Sequence, residues 1–97
     1  MTKYMIEVPH KDDKIECAKA IQVFLQTGSH FLVNANWGCL DGEHKAWIIL
    51  DADNKEDVLS ILPLSVRPQA KITRLTKFSM DDVDAVLGQH KDHPHGQ

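Results

Sequence analysis

The residues best suited to chemistry are two histidines and two cysteines in the first half of the chain: His10, Cys17, Cys39 and His44. Two thiolates and two imidazoles suit a tetrahedral Zn²⁺ ion, and also Cu(I), Ni²⁺ or Fe²⁺ with some change of geometry. Nearby carboxylates could attract a cation or orient the imidazoles, namely Asp12, Asp13, Asp41 and Glu43. This donor set predicts a transition-metal site.

Other interpretations of the same residues stay open. The chain has no CxxC or HxxxH spacing, so the metal hypothesis depends on the fold bringing the four residues together. Cys17 and Cys39 could instead form a redox pair. A buried free cysteine also behaves as a small hydrophobic residue, and a histidine at a strand end can simply be hydrogen-bonded.

A second candidate site is a pocket built from Glu7, Asn34, Asn36 and Trp47, interleaved with Met5, Leu32 and Ile49. An apolar cavity with a few polar groups is the usual form of a small-molecule site. A desolvated Glu7 could act there as an acid or a base. The alternative is that the two asparagines lie at the rim of an interface and bond to a partner or to water.

Composition limits the classes of function. The chain has 97 residues, 42% hydrophobic and 26% charged, which is typical of one globular domain. The net charge is −3 and the basic residues are scattered, so neither nucleic acid nor an anionic membrane surface is indicated as a partner. The few glycines form no phosphate-binding arrangement, and no organic cofactor is indicated.

Location is predicted from the apolar runs and the cysteines. The longest apolar runs, 47–50 and 61–64, are far shorter than the roughly 20 residues of a membrane span. The N-terminus lacks the pattern of a signal peptide, and two cysteines fit reduced thiols better than a secreted disulfide framework. We therefore expect a cytoplasmic protein.

Hydrophobic periodicity predicts four strands and three helices. Residues 3–8, 31–39, 44–50 and 70–78 have strand patterns, and Asp41-Gly42 is a favoured hairpin dipeptide. Helices are predicted between Asp13 and Gly28, from an Asp53 cap to Leu62, and from a Ser79 cap to Leu87. Residues 1–88 form one predicted domain, and 89–97, with His90, His93 and His95, a mobile polar tail that could bind metal only loosely.

The order of these elements, β-α-β-β-α-β, predicts a ferredoxin-like α+β fold. It has a four-stranded antiparallel sheet in the order 4-1-3-2 and a short additional C-terminal helix. In that topology the first and second strands are parallel. Their ends, the start of the first helix and the start of the third strand therefore meet at one edge of the sheet, where His10, Cys17, Cys39 and His44 would converge.

The run 59–78, with Leu62-Pro63-Leu64 followed by a late strand, resembles the muconolactone isomerase end of the dimeric α/β-barrel superfamily. The resemblance implies two ferredoxin-like subunits packed sheet against sheet around a pocket, and hence a homodimer with a small-molecule ligand. It carries over no catalytic residue. An apolar second sheet face, with Met5, Leu32, Trp47 and Ile49, also needs a cover.

Three functions follow as hypotheses. The first is a small cytoplasmic transition-metal-binding protein, acting in sensing, storage or delivery through His10, Cys17, Cys39 and His44. The second is a cofactor-free isomerase or monooxygenase that works in the pocket near Glu7, Asn34 and Trp47. The third is an interaction module without chemistry of its own.

Overall fold

A four-stranded antiparallel sheet forms the centre of the protein. In the computed structural model, which describes residues 1–91, the strands are β1 (Thr2–Pro9), β2 (Asn36–Trp37), β3 (Lys45–Ala52) and β4 (Lys71–Leu75). Their spatial order is β2-β3-β1-β4. β3 pairs antiparallel with both β1 and β2, so β1 and β2 run in the same direction on either side of it.

Three helices and two 3-10 turns connect the strands, and a fourth helix follows β4 in the described chain. The helices are α1 (Lys14–Gln26), α2 (His30–Val33), α3 (Lys55–Ser60) and α4 (Met80–Lys91), and the turns are Cys39–Asp41 and Arg67–Gln69. The predicted cap of α1 is confirmed, because Asp13 Oδ1 accepts a hydrogen bond from the Ile15 amide at 2.7 Å. A carboxylate also takes part in the N-terminal cap of α4, where Asp82 Oδ2 accepts a hydrogen bond from the Ser79 amide at 2.9 Å.

The core lies on one face of the sheet, and its strand residues alternate as the sequence predicted. Tyr4, Ile6 and Val8 of β1 are buried, as are Ala46, Ile48, Leu50 and Ala52 of β3. Helices α1, α2 and α3 and the loop after α3 cover this face. They contribute one almost fully buried side chain each, namely Phe24, Leu32, Val58 and Leu62. Since β1 lies between β3 and β4, its residues are central to both the core and the sheet.

The predicted ferredoxin-like βαββαβ fold is wrong, because the helices between and after the strands do not match that order of elements. The predicted second strand, 31–39, is mostly not a strand: its first part is helix α2, and β2 has only two residues. Ser29 caps α2 by accepting a hydrogen bond from the Leu32 amide at 3.4 Å. The chain therefore runs β-α-α-β-β-α-β-α, and the apolar alternation that suggested a strand was misleading.

Two smaller corrections concern the turn before β3 and the last strand. Asp41-Gly42 is not a two-residue hairpin, because the chain forms a 3-10 turn that Gly42 ends with a φ of 84°. β4 stops at Leu75, short of the predicted end at Phe78. Helix α4 continues past Gly88 to Lys91, and the rest of the predicted tail, including His93 and His95, lies outside the described residues.

The second face of the sheet is covered by no helix of the described chain. This open face carries Met5 from β1, Trp47 and Ile49 from β3 and Leu75 from β4, as the strand registers show. Leu32, predicted to lie there, is instead 1% exposed in the core. The homodimer predicted from this face stays a prediction. Within residues 1–91, none of the helices has the length and apolar character needed to cross a membrane.

Candidate metal centre

The ends of four elements, β1, α1, β2 and β3, bring the predicted metal ligands to one edge of the sheet. His10 follows the last residue of β1, and its amide donates to the carbonyl oxygen of His44, just before β3, at 3.0 Å. Cys17 lies in the first turn of α1, where its amide donates to the Asp13 carbonyl oxygen at 2.9 Å. Cys39 opens the 3-10 turn that follows β2. The parallel course of β1 and β2 therefore places all four residues together.

The four side chains form one compact cluster. One ligand atom from each of His10, Cys17, Cys39 and His44 lies within 4.8 Å of all the others. His10 Nε2 is central, at 2.9 Å from Cys17 Sγ and 3.2 Å from Cys39 Sγ. His44 Nδ1 lies 3.9 Å from Cys17 Sγ. Both cysteines are free thiols, so this cluster could hold a metal ion.

Asp12 orients one of the imidazoles. Its Oδ1 lies 2.9 Å from His44 Nε2, the ring nitrogen on the far side from the cluster. A hydrogen bond there puts the proton on Nε2 and leaves the lone pair of Nδ1 pointing toward Cys17. Of the four carboxylates suggested from the sequence, Asp12 is therefore the one that contacts a candidate ligand, while Asp13 caps α1.

His10 is held by packing rather than by a second hydrogen bond. Its ring meets the Trp37 ring with centroids 5.9 Å apart and the His44 ring edge-on at 5.6 Å. Its Nδ1 is buried and has no partner among the described residues. Trp37 in turn packs edge-to-face on Phe24 at 5.0 Å, which connects the cluster to the core.

The surroundings change the proton affinities of two cluster residues. Burial, with a smaller contribution from His44, lowers the pKa of His10, which keeps this imidazole neutral with a lone pair available. A hydrogen bond with Cys39, burial and the charges of Cys39 and Asp12 raise the pKa of Cys17 to about 11. Without a cation, Cys17 is therefore a protonated thiol at neutral pH, and a bound metal would displace that proton.

Gly38 shapes the turn that presents Cys39, and sequence reasoning missed its role. A Cβ atom at this position would lie 2.6 Å from the Trp47 ring and 2.7 Å from the Glu43 carbonyl oxygen. The Gly38 carbonyl oxygen also accepts from the amides of Asp41 and Glu43, at 3.0 and 2.9 Å. Only glycine allows this close approach. In the sequence, the only sign of this role is that a glycine directly precedes Cys39.

The structure does not gather the second predicted site into one pocket. Glu7 and Trp47 are cross-strand partners, and Trp47 Nε1 donates to Glu7 Oε1 at 3.4 Å. Lys45 Nζ lies 3.7 Å from the same oxygen, so Glu7 already has a cationic partner. Asn36 pairs with Trp47 in register, but Asn34 ends α2 and donates to the His30 carbonyl oxygen at 2.8 Å. Both asparagines line a surface cleft that neither Glu7 nor Trp47 reaches.

Comparison with known proteins gives no independent route to a function. No protein-family model, no curated protein and no solved structure matches this chain. The resemblance to the muconolactone isomerase group therefore stays a prediction. What can be concluded about the chemistry of the chain comes from its own side chains, and they form a His/Cys cluster that could hold a metal ion.

Proposed function

We propose that the protein is a small transition-metal-binding protein that holds one ion through His10, Cys17, Cys39 and His44 and acts in metal sensing, storage or delivery. The observation that carries the proposal is the convergence of four ligand atoms within 4.8 Å. It is strengthened by the Asp12–His44 contact of 2.9 Å, since metal-binding imidazoles usually donate their other N–H to a carboxylate or a carbonyl group.

The spacing of the cluster fits a tetrahedral ion. With metal–sulfur bonds of about 2.3 Å and metal–nitrogen bonds of about 2.0 Å, sulfur and nitrogen ligands lie about 3.5 Å apart. Three of the four sulfur–nitrogen pairs in the cluster lie 2.9, 3.2 and 3.9 Å apart, on both sides of that value. Small side-chain shifts would therefore suffice. Zn²⁺ is the first choice for this donor set, with Cu(I), Ni²⁺ and Fe²⁺ as the other candidates.

A full set of four protein ligands favours binding over catalysis. Catalytic zinc sites usually keep one position open for water or substrate, whereas closed sites hold the ion. A surface cavity of about 250 Å³ borders His10 and gives the cluster a side from which an ion can be exchanged. No contact of Glu7, Asn34, Asn36 or Trp47 favours the isomerase or monooxygenase alternative.

Metal content and Co²⁺ spectroscopy test the proposal. Protein purified without a histidine tag should bind one equivalent of Zn²⁺ or Co²⁺, and bound Co²⁺ should give a thiolate charge-transfer band and tetrahedral absorption. His44→Ala should lower the affinity and weaken these bands. His30→Ala is the matched control, because His30 is exposed outside the cluster. Equal metal binding by both variants, or substoichiometric metal in the parent protein, would contradict the proposal.

A further inference from the structure

The protein has two apolar surfaces that nothing in the described chain covers. One is the open face of the sheet, where Ile49 is 58% exposed. The other is a stripe along α4 formed by Met80, Val83, Val86 and Leu87, which recur at helical spacing; we call it the α4 stripe. Val86 is 57% exposed, and the other three are exposed as well. Two uncovered apolar surfaces on one small chain are unusual for a monomer.

Helix α4 projects away from the sheet. The radius of gyration is 18.8 Å, whereas a compact chain of this length has a value of about 12.5 Å. The longest dimension of the molecule is 62 Å, against 29 and 20 Å for the other two. This elongated shape fits an α4 stripe that is not folded onto the core of its own chain.

The charges beside the two surfaces are complementary. The first half of α4 carries Asp81, Asp82 and Asp84. The open face carries Lys3 of β1 and Lys71 of β4, and a groove of about 500 Å³ beside them is lined by Lys3, Leu75, Thr76 and Lys77. The acidic residues of the open face are Glu7, which is near Lys45, and Asp51 on β3. An acidic amphipathic helix thus matches a groove that is apolar inside and basic at its rim.

We propose that the α4 stripe of each chain docks on the open face of a second copy, so that two chains exchange their C-terminal helices. The 12 residues of α4 span about 18 Å. Neighbouring strands lie about 4.8 Å apart, so the helix is long enough to cross the face. The exchange covers Trp47 and Ile49 in both chains and buries both α4 stripes.

The chain direction favours the second copy over the helix's own sheet. The groove is lined by Thr76 and Lys77, and α4 begins only three residues later at Met80. To reach its own groove, the chain would have to reverse at Phe78–Ser79. The hydrogen bonds between Ser79 and Asp82, at 2.9 and 3.2 Å, fix Ser79 at the start of α4 and so leave fewer residues for that reversal. A second copy receives the helix without any reversal.

The experiment compares two neighbouring substitutions on α4 in the full chain. Val86→Glu places a charge in the α4 stripe, whereas Ala85→Glu places the same charge at an exposed position outside it. Burying one such apolar side chain is worth about 1.5–3 kcal/mol, so Val86→Glu should raise the dimer dissociation constant at least about tenfold. Ala85→Glu should leave it nearly unchanged. Sedimentation gives the mass, and circular dichroism checks that both variants fold.

Ile49→Glu tests the other surface and the exchange itself. It should likewise raise the dimer dissociation constant, and a mixture of Ile49→Glu with Val86→Glu should associate more tightly than either variant alone, because the intact helix of the first fits the intact sheet of the second. A monomeric parent chain at about micromolar concentration would overturn the proposal. So would a dimer that Val86→Glu leaves intact, as in direct sheet-to-sheet packing. Metal binding is measured separately, so either outcome leaves the metal proposal unaffected.

Discussion

His44 is the candidate ligand whose orientation is most tightly determined. Asp12 holds its outer nitrogen, and its backbone carbonyl accepts from the His10 amide. Asp12 itself is 88% exposed, so the hydrogen bond competes with water. We therefore expect the Asp12–His44 hydrogen bond to set the orientation and basicity of the imidazole and to contribute little to the stability of the fold.

Asp12→Asn should weaken metal binding by about tenfold or more, because the amide accepts a weaker hydrogen bond and no longer fixes the imidazole tautomer. Competition with a chromophoric chelator measures the affinity. Asp41→Asn is the matched control, since Asp41 is a nearby exposed carboxylate that makes no hydrogen bond to either histidine among the described side chains. Equal affinities of the two variants would show that the Asp12 contact has no role in metal binding.

At the scale of elements, the sequence predicted β1, β3 and α1 well because each has a clear period. Their alternating or helical apolar residues are the ones that the core buries. The predicted long strand at 31–39 was wrong because Ser29 caps a helix and Leu32 is the member of that run that enters the core. Tertiary packing decided this segment, and local alternation could not reveal it.

The convergence of His10, Cys17, Cys39 and His44 was predicted from the sequence in spite of that error. The position of the cluster depends on the ends of β1 and β2 and on the start of β3. The two residues of β2, Asn36 and Trp37, pair with β3 and are enough to place Cys39. The residues of the second predicted site, in contrast, do not come together in one pocket. The sequence predicted Asn34 on the same strand as Asn36. In the structure Asn34 lies at the end of α2 instead, and not beside Glu7.

The cap of α4 predicts a pH dependence for this helix. Backbone and side-chain hydrogen bonds from Ser79 lower the pKa of Asp82 below its ordinary value of 3.8. The stabilisation is therefore fully present above that ordinary value and is lost as the pH falls through the lower pKa of the folded state. The Cα chemical shifts of 80–88 should move toward random-coil values on acidification from about pH 6 to about pH 2.

Asp82→Asn is the control for the titration, since its amide cannot ionise yet can still accept the hydrogen bond from Ser79. The variant should show a smaller change over the same range. If the shifts of both proteins follow the same curve, the acid sensitivity of α4 comes from another group.

At the scale of the whole molecule, the His/Cys cluster connects parts of the chain that are distant in sequence. His10 and Cys17 come from the junction of β1 and α1, whereas Cys39 and His44 flank the turn between β2 and β3. An ion at the cluster would cross-link these two regions in the folded state only. Metal binding should therefore add directly to the stability of the protein.

Zn²⁺ at about a hundredfold excess over its dissociation constant should stabilise the fold by about 2.7 kcal/mol. Urea unfolding, followed by circular dichroism with Zn²⁺ and with a chelator, measures the difference. Cys39→Ser should lose most of the stabilisation, because it removes one of four ligands. A parent protein whose unfolding midpoint is the same in Zn²⁺ and in chelator would contradict a metal that bridges the two regions.

The position of the ligands along the chain has a consequence during synthesis. All four lie between His10 and His44, whereas β4, which completes the sheet beside β1, is formed by Lys71–Leu75. A chain made from its N-terminus exposes the complete ligand set before β4 exists. Capture of an ion at that stage would close the loop from His10 to His44 and so reduce the entropy cost of pairing β1 with β3. Metal supply at the ribosome would then influence how much loaded protein the cell obtains.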